Sequence, residues 1–176
     1  GSTEEAPTVV LPILHGPNGE DGTVQGLLEM AQVPYVGAGV LGSAVAMDKA
    51  MAKTVLDAAG IAQPSWAAVR VTELDQAQEL VARLIAELGE TIFVKPANMG
   101  SSIGITKAHG SEQLLAALEL AFEYDEIAVV EEAVAARELE VAVLGNRSPR
   151  ASVVGEIIPA AEFYDYEDKY ADGTAQ

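Results

Sequence analysis

The sequence predicts a mixed α/β and α+β protein, and three observations carry that expectation. An apolar, β-branched run from Thr8 to Leu14 empties into a loop dense in turn formers and acids, and a helical pattern follows. From Gln63 onward, short strand-like segments alternate with helical ones. Finally, Leu139 to Leu144 and Ala151 to Ile158 flank Gly145-Asn146-Arg147-Ser148-Pro149-Arg150, an antiparallel pair around a turn.

The elements follow in order. Thr8 to Leu14 reads as a buried strand that delivers the loop His15-Gly16-Pro17-Asn18-Gly19-Glu20-Asp21-Gly22 to a sheet edge. Thr23 to Gln32 carries Val24, Leu27, Leu28 and Ala31 at helical spacing, with Gln25 and Glu29 on the other side. Val33 to Gly39 is too rich in glycine and proline for a helix and suits a short strand. Ser43 is positioned to cap one helix running to about Ala59, with Gly60 as its stop. Trp66 to Val71 is a strand, and Thr72-Glu73-Leu74-Asp75 looks like a capping box opening a helix that ends near Gly89. Ser111 begins another helix, to about Tyr124, and Ile127 to Glu131 is a buried strand. From Phe163 to Gln176 the charges, three tyrosines and lack of period indicate a loop.

Between the two later helices lies the most informative segment, Phe93-Val94-Lys95-Pro96-Ala97-Asn98-Met99-Gly100-Ser101-Ser102-Ile103-Gly104-Ile105. A lysine ends an apolar strand and a Gly-Ser-Ser-X-Gly turn follows. Glycines let backbone approach an anion, hydroxyls add donors, and successive N–H groups in such a turn form a concave nest. Alternation resumes at Ile103, Ile105 and Lys107, so the unit reads as a hairpin whose tip folds over a ligand. The pattern is not a Walker A loop, which needs Gly-X-X-X-X-Gly-Lys-Ser/Thr opening a helix. Taken alone, the segment fits an ordinary Gly-Ser hairpin turn equally well.

Composition restricts the function classes. With 176 residues and 49% hydrophobic content, the chain is long enough to bury a core as one domain or two small ones. Ten basic against 27 acidic residues give a net charge of −17, which opposes binding to nucleic acid or to anionic membrane and points to small ligands. The absence of cysteine excludes disulfides, thiolate metal sites and cysteine nucleophiles, and suits a reducing cytosol. No apolar run reaches transmembrane length.

Six motifs in register resemble those of the D-alanine–D-alanine ligases, which are ATP-grasp enzymes. They are His15-Gly16 with Gly19-Glu20-Asp21-Gly22, Pro34-Tyr35 with Gly37, and Met47-Asp48-Lys49. Val94-Lys95-Pro96, Gly100-Ser101-Ser102-Ile103-Gly104, and Phe163-Tyr164-Asp165-Tyr166 with Lys169-Tyr170 complete the set, which covers nearly the whole chain. The resemblance implies part of an ATP-grasp fold preceded by the tail end of an α/β N-terminal domain. On that pattern 1–42 would close the N-terminal substrate domain and 43–126 would form the central ATP-grasp domain. The remainder, 127–176, would begin the C-terminal ATP-grasp domain and include a tyrosine-rich mobile loop. It implies ATP and D-alanine as ligands and an acyl phosphate formed on one D-alanine, whose phosphate the amine of a second displaces. The product would be D-alanyl-D-alanine for peptidoglycan. A bacterial cytosolic enzyme, commonly a homodimer, with no nucleic-acid or membrane partner, is also implied.

The same resemblance distributes roles. Lys49 and Lys95 would contact the nucleotide phosphates, with Ser101, Ser102 and Gly104 in a loop closing over them and Lys169 reaching the transferred phosphate. A triphosphate needs local positive charge in so acidic a chain, although a helical lysine such as Lys49 is more usually a surface decoration. Glu131, Glu132, Val134 and Glu138 match positions that contact the adenosine portion; a solvated acidic strand end is the other reading of these acids. Ser101 and Tyr170 would clasp the loops over substrate, excluding water from the acyl phosphate. His15 would lie near the carboxylate of the first D-alanine with Glu20 orienting it, whereas a surface His–Glu pair fits the loop as well. The sequence around Tyr170 favours the dipeptide over D-alanyl-D-lactate.

Two parts of the family pattern are not found in the sequence. Its N-terminal glutamate has no match in the context of Glu4 or Glu5. The arginine and the Asp, Glu and Asn ligands for two magnesium ions would lie beyond the tyrosine-rich loop. The expectation is therefore an incomplete segment, inactive alone, with no metal ligand of its own. Another ATP-grasp carboxylate–amine ligase would share Lys49, Lys95 and Glu131 but has less reason to carry His15-Gly16 and the tyrosine loop. A non-catalytic nucleotide-binding module is the remaining alternative.

Overall fold

The computed structural model describes residues 8–158, so the tail motifs that include Lys169 and Tyr170 lie outside the described residues. Contacts divide the chain after Ala133 into two compact units. In the first unit, α1 (Thr23–Met30), α2 (Val40–Met47) and α3 (Lys49–Ala58) precede β1 (Trp66–Arg70) and α4 (Ala77–Leu88). There follow β2 (Thr91–Pro96), β3 (Thr106–His109), α5 (Gly110–Phe122) and β4 (Ile127–Glu132). The second unit holds β5 (Glu138–Glu140), β6 (Val143–Leu144), β7 (Arg150–Ala151) and β8 (Gly155–Ile157).

The four strands of the first unit form an antiparallel sheet in the order β1-β4-β2-β3. Side chains alternate across it, so Val69, Ala128, Val130, Ile92, Val94 and Ala108 share one face. That face is covered by α4 and α5 through Leu80, Val81, Leu84, Leu88, Leu114, Ala117, Leu118 and Ala121, and this is the hydrophobic core. The spacing of these residues is the helical period expected of a one-sided helix. The opposite face carries the cross-strand row Trp66, Glu131, Phe93 and Lys107, with Lys95 beside Val129 in the next row. Helix α3 lies against that second face at β4. The hairpin of β2 and β3, both later helices and the buried β4 all stand where the sequence places them.

Four expectations are corrected. Residues 8–14 make only one parallel bridge, Val10 with Tyr35, and Val9, Leu11, Ile13 and Leu14 are exposed rather than buried. A parallel strand is buried by neighbours on both sides and on both faces, and these residues have one bridging partner among the described residues. In α1 the facing departs from the expectation at two positions: Gln25 is buried and Leu27 exposed, while Val24 and Leu28 are half-buried and Glu29 is exposed as expected. The preceding loop folds over the helix start, and Gln25 Nε2 donates to the Gly19 carbonyl at 3.0 Å. The single helix from Ser43 is two. Asp48 adopts an extended backbone and its carboxylate accepts from Met51 N–H at 2.9 Å, so it restarts the helix as an N-cap. Ser43 lies inside α2, donating to Ala38 O. The turn at Thr72 is a 3-10 helix, Val71–Gln76, leading into α4, and its capping bond runs from Arg70 N–H to Glu73 one residue pair earlier than expected. The extended Arg70 that ends β1 leaves its N–H pointing at that carboxylate.

In the second unit β5 pairs with β8 and β6 with β7, so the expected hairpin forms with its ladder interrupted. Arg137 and Glu156 pair at 3.5 Å across it.

Candidate functional site

The site is built on the sheet face away from the core. β2 brings Lys95 as its last residue but one, β4 brings Glu131, and the first turn of α3 brings Lys49. Glu131 is buried, 9% exposed, and its two oxygens are divided between two lysines: Lys95 Nζ is 3.0 Å from Oε2 and Lys53 Nζ is 3.5 Å from Oε1. Three of the chain's five lysines thus converge on one place in an acidic protein. Such crowding of like charge in a half-buried position suits an anionic ligand better than it suits stability.

Lys49 opens α3, and its environment perturbs it. Burial pushes its amine below the ordinary 10.5, the charge of Lys95 adds to that, and Asp125, Asp48 and Glu131 oppose it. Its Nζ donates to the carbonyls of Ala97, at 3.4 Å, and Met99, while its backbone N–H binds Ala97 O at 3.0 Å. The strand end and the start of the glycine-rich loop are therefore tied to α3. Asp125 ties the same loop from the other side, its Oδ2 accepting from Asn98 N–H at 2.7 Å and Nδ2 at 2.9 Å.

Beyond these anchors the loop turns sharply. Ser101, Ser102 and Gly104 adopt φ of 53°, 60° and 70°. Two consecutive left-handed serines are costly and recur where a ligand dictates backbone shape. The loop also passes the turn that begins at His15: a methyl group on Gly100 would lie 3.6 Å from Gly16 Cα and 3.8 Å from the Glu20 carboxylate. The Gly100–Gly104 and His15–Gly22 loops are thereby neighbours although some eighty residues apart, roughly the reach of a whole α+β layer. Glu20 Oε2 accepts from Gly16 N–H at 2.6 Å, so the carboxylate shapes its own loop, and His15 stands exposed at the loop's entrance.

Of the residues singled out by sequence, Lys49, Lys95 and Glu131 come together, and Gly100 of the glycine-rich loop meets the turn that holds His15 and Glu20. Glu132 Oε1 instead binds Ser65 N–H at 2.8 Å, fastening β4 to the start of β1. Val134 and Glu138 belong to the second unit, where Val134 is exposed and Glu138 opens β5. Lys53, Asn98 and Asp125 were not anticipated. The first had a legible signal, since it follows Lys49 by one helical turn. Among the described residues no group of three or more His, Asp or Glu could hold a metal ion, so they do not fit magnesium. No helix among them is long and apolar enough to cross a membrane.

A family model described as the D-ala D-ala ligase C-terminus matches residues 55–176, and one described as the D-ala D-ala ligase N-terminus matches residues 1–38. The D-alanine–D-alanine ligase of Bacillus pumilus is 53% identical over 173 residues, 98% of this chain and 48% of that protein. Among solved structures, the D-alanine–D-alanine ligase from Coxiella burnetii superposes with a TM-score of 0.80 at 42% identity, covering 85% of this chain and 44% of that one. The VanG D-Ala:D-Ser ligase from Enterococcus faecalis gives a TM-score of 0.80 at 41% identity, with 92% and 46% covered. The chain spans about half the length of the curated relatives it matches.

Proposed function

The chain belongs to the D-alanine–D-alanine ligase family, and on that premise we propose that it supplies the nucleotide-phosphate cradle and the first D-alanine site of an ATP-dependent D-alanine–D-alanine ligase. The observation that carries this reading is the convergence of Lys49, Lys95 and Glu131 on one sheet face. Beside them is a loop of left-handed residues that touches the His15 turn. In the reaction ATP phosphorylates the carboxylate of one D-alanine, and the amine of a second attacks the acyl carbon and releases phosphate. Lys49 and Lys95 hold the phosphates as compact cations, which is the main task in phosphoryl transfer. The loop bearing Ser101, Ser102 and Gly104 covers them, and with Tyr170 it excludes water. Glu131, Val134 and Glu138 face the adenosine, with Glu132 contributing its backbone while Ser65 holds its carboxylate; Lys169 meets the transferred phosphate, and His15, held in the loop that Glu20 shapes, receives the carboxylate of the first D-alanine. The domains are proposed as 1–42, 43–126 and 127–176; β4 pairs within the sheet of the central segment, which favours moving the second boundary to 133. A homodimer in the bacterial cytosol, using magnesium held elsewhere, completes the reading.

The test is phosphate release dependent on both ATP and D-alanine, measured for this chain and for a chain extended to the length of its relatives. Activity in the extended chain should require Lys95: Lys95→Met should raise KM for ATP by about tenfold to a hundredfold, the worth of hydrogen bonds to a charged group. An extended chain that releases phosphate equally well with Lys95→Met would refute the assignment. Full activity of the 176 residues alone would refute the expectation that the segment is incomplete.

A further inference from the structure

Lys53 has no part in the reading above, yet it is held as firmly as the lysines that do. It follows Lys49 by one turn of α3, so both amines leave the same side of the helix. Its side chain is 13% exposed, and Nζ lies 5.8 Å above the centre of the Trp66 ring. Asp57 fixes that ring by accepting from Trp66 Nε1 at 3.0 Å, and it accepts from Gln63 Nε2 at 2.7 Å. Gln63 in turn donates to the Lys53 carbonyl at 2.9 Å. A surface lysine is ordinarily free to sample many rotamers; this one is pre-organised against one carboxylate.

The two lysines on Glu131 differ in what the reaction asks of them. Lys95 is needed at the phosphates, and when it turns there the Glu131 carboxylate loses the closer of its two partners. A buried carboxylate stripped of its counter-ion is strongly unfavourable. Lys53 stays behind, because its amine lies over the Trp66 ring and Gln63 fastens its backbone carbonyl, and Oε2 is then left to accept from a ligand.

We propose that Lys53 is a positioning residue for nucleotide selection: it keeps Glu131 paired and oriented while Lys95 serves the phosphates, so that the carboxylate selects a purine bearing an exocyclic amine. The proposal rests on the assignment of Glu131 to the adenosine portion given above. An amine-bearing base donates to the freed oxygen, whereas a base with a carbonyl there sets two acceptors against each other.

The experiment is steady-state kinetics of a full-length ligase containing this segment, at saturating D-alanine, with ATP and with inosine triphosphate. Lys53→Met and Lys53→Gln should each raise KM for ATP about tenfold with kcat within about twofold, and should lower the ATP-over-ITP preference about tenfold. Lys53→Arg should keep most of that preference. A merely structural lysine would lower the melting temperature and kcat and leave the ATP-to-ITP ratio unchanged in both neutral variants; that result would overturn the proposal. Glu131→Gln separates the two claims. If it loses the preference while Lys53→Met keeps it, Lys53 is not the positioning residue and the Glu131 assignment survives. If Glu131→Gln keeps the preference, the assignment of Glu131 fails and the role of Lys53 fails with it.

Discussion

Gly100 and Gly104 stand in one loop and carry different constraints. At Gly104, φ is 70° and a Cβ would lie 2.7 Å from Pro96 Cγ and 2.8 Å from Tyr124 Cδ2. Pro96 is fully buried and its ring does not give way cheaply, although the half-exposed Tyr124 ring has more freedom to shift. Gly104→Ala should therefore cost about 2–5 kcal/mol in urea denaturation, from backbone strain plus overpacking. At Gly100 the nearest atom would be 3.6 Å away, an ordinary contact, and Gly100→Ala should fall within about 1 kcal/mol of the parent. Equal costs at the two positions would contradict this account of the loop. That a phosphate-handling turn lies here was legible from Gly-Ser-Ser-X-Gly; which glycine is indispensable was not, because Tyr124 arrives from the end of α5, a tertiary fact. Lys49 gives a second residue-scale prediction. Its amine titrates below 10.5 when folded, chiefly through burial, so between the folded and unfolded values the unfolded chain holds the extra proton. The charged amine thus opposes folding at neutral pH, and stability is regained as pH rises through the folded value toward 10.5. The stability of the parent relative to Lys49→Met should rise over that window, as read from denaturation at stepped pH. A difference that is flat or falls with pH would mean that the amine is not buried as described.

At the scale of elements, the packed layer and the helical N-terminal part behave differently. Leu84 is fully buried on α4 against the sheet, and Leu84→Ala should cost about 2–5 kcal/mol through lost transfer energy and a residual cavity. Leu27, on the outward side of α1 at 65% exposure, should tolerate the same change within about 0.5 kcal/mol. The order of the two costs is the test, since both are leucines within helices and only the packing around them separates the two. The layer of α4, α5 and four strands was legible because each piece is long enough to show its period and supplies its own burial partner. The strand at 8–14 looked equally apolar, but its burial depends on neighbours that the described residues do not provide. The division between α2 and α3 was hidden for another reason. Asp48 reads as a helix surface residue until its carboxylate is seen capping Met51 N–H. Removing that cap with Asp48→Ala should cost about 1 kcal/mol and loosen Lys49, which begins the helix it caps.

Over the whole molecule, charge and site pull in opposite directions. The chain carries a net charge of −17, yet the proposed phosphate cradle rests on Lys49 and Lys95, with Lys53 close by on Glu131. A nucleotide triphosphate approaching from bulk solution meets repulsion from the whole and attraction from the site. The Debye length, about 8 Å at physiological ionic strength, decides between them. Acids farther than that from a phosphate seated at Lys49 and Lys95 are screened already, whereas the lysine contacts are direct. Added salt should therefore weaken binding, because it acts mainly on the remaining attraction. The prediction is that ATP affinity of a full-length ligase containing this segment, measured by calorimetry, falls steadily as ionic strength is raised from about one-third of the physiological value to about three times it. Replacing Lys95 by Met should flatten that dependence as well as lower the affinity, since one of the screened cations is gone. Affinity that climbs with salt would mean that the global charge governs the encounter, and that the lysines on this sheet face are engaged with the protein's own acids rather than with phosphate.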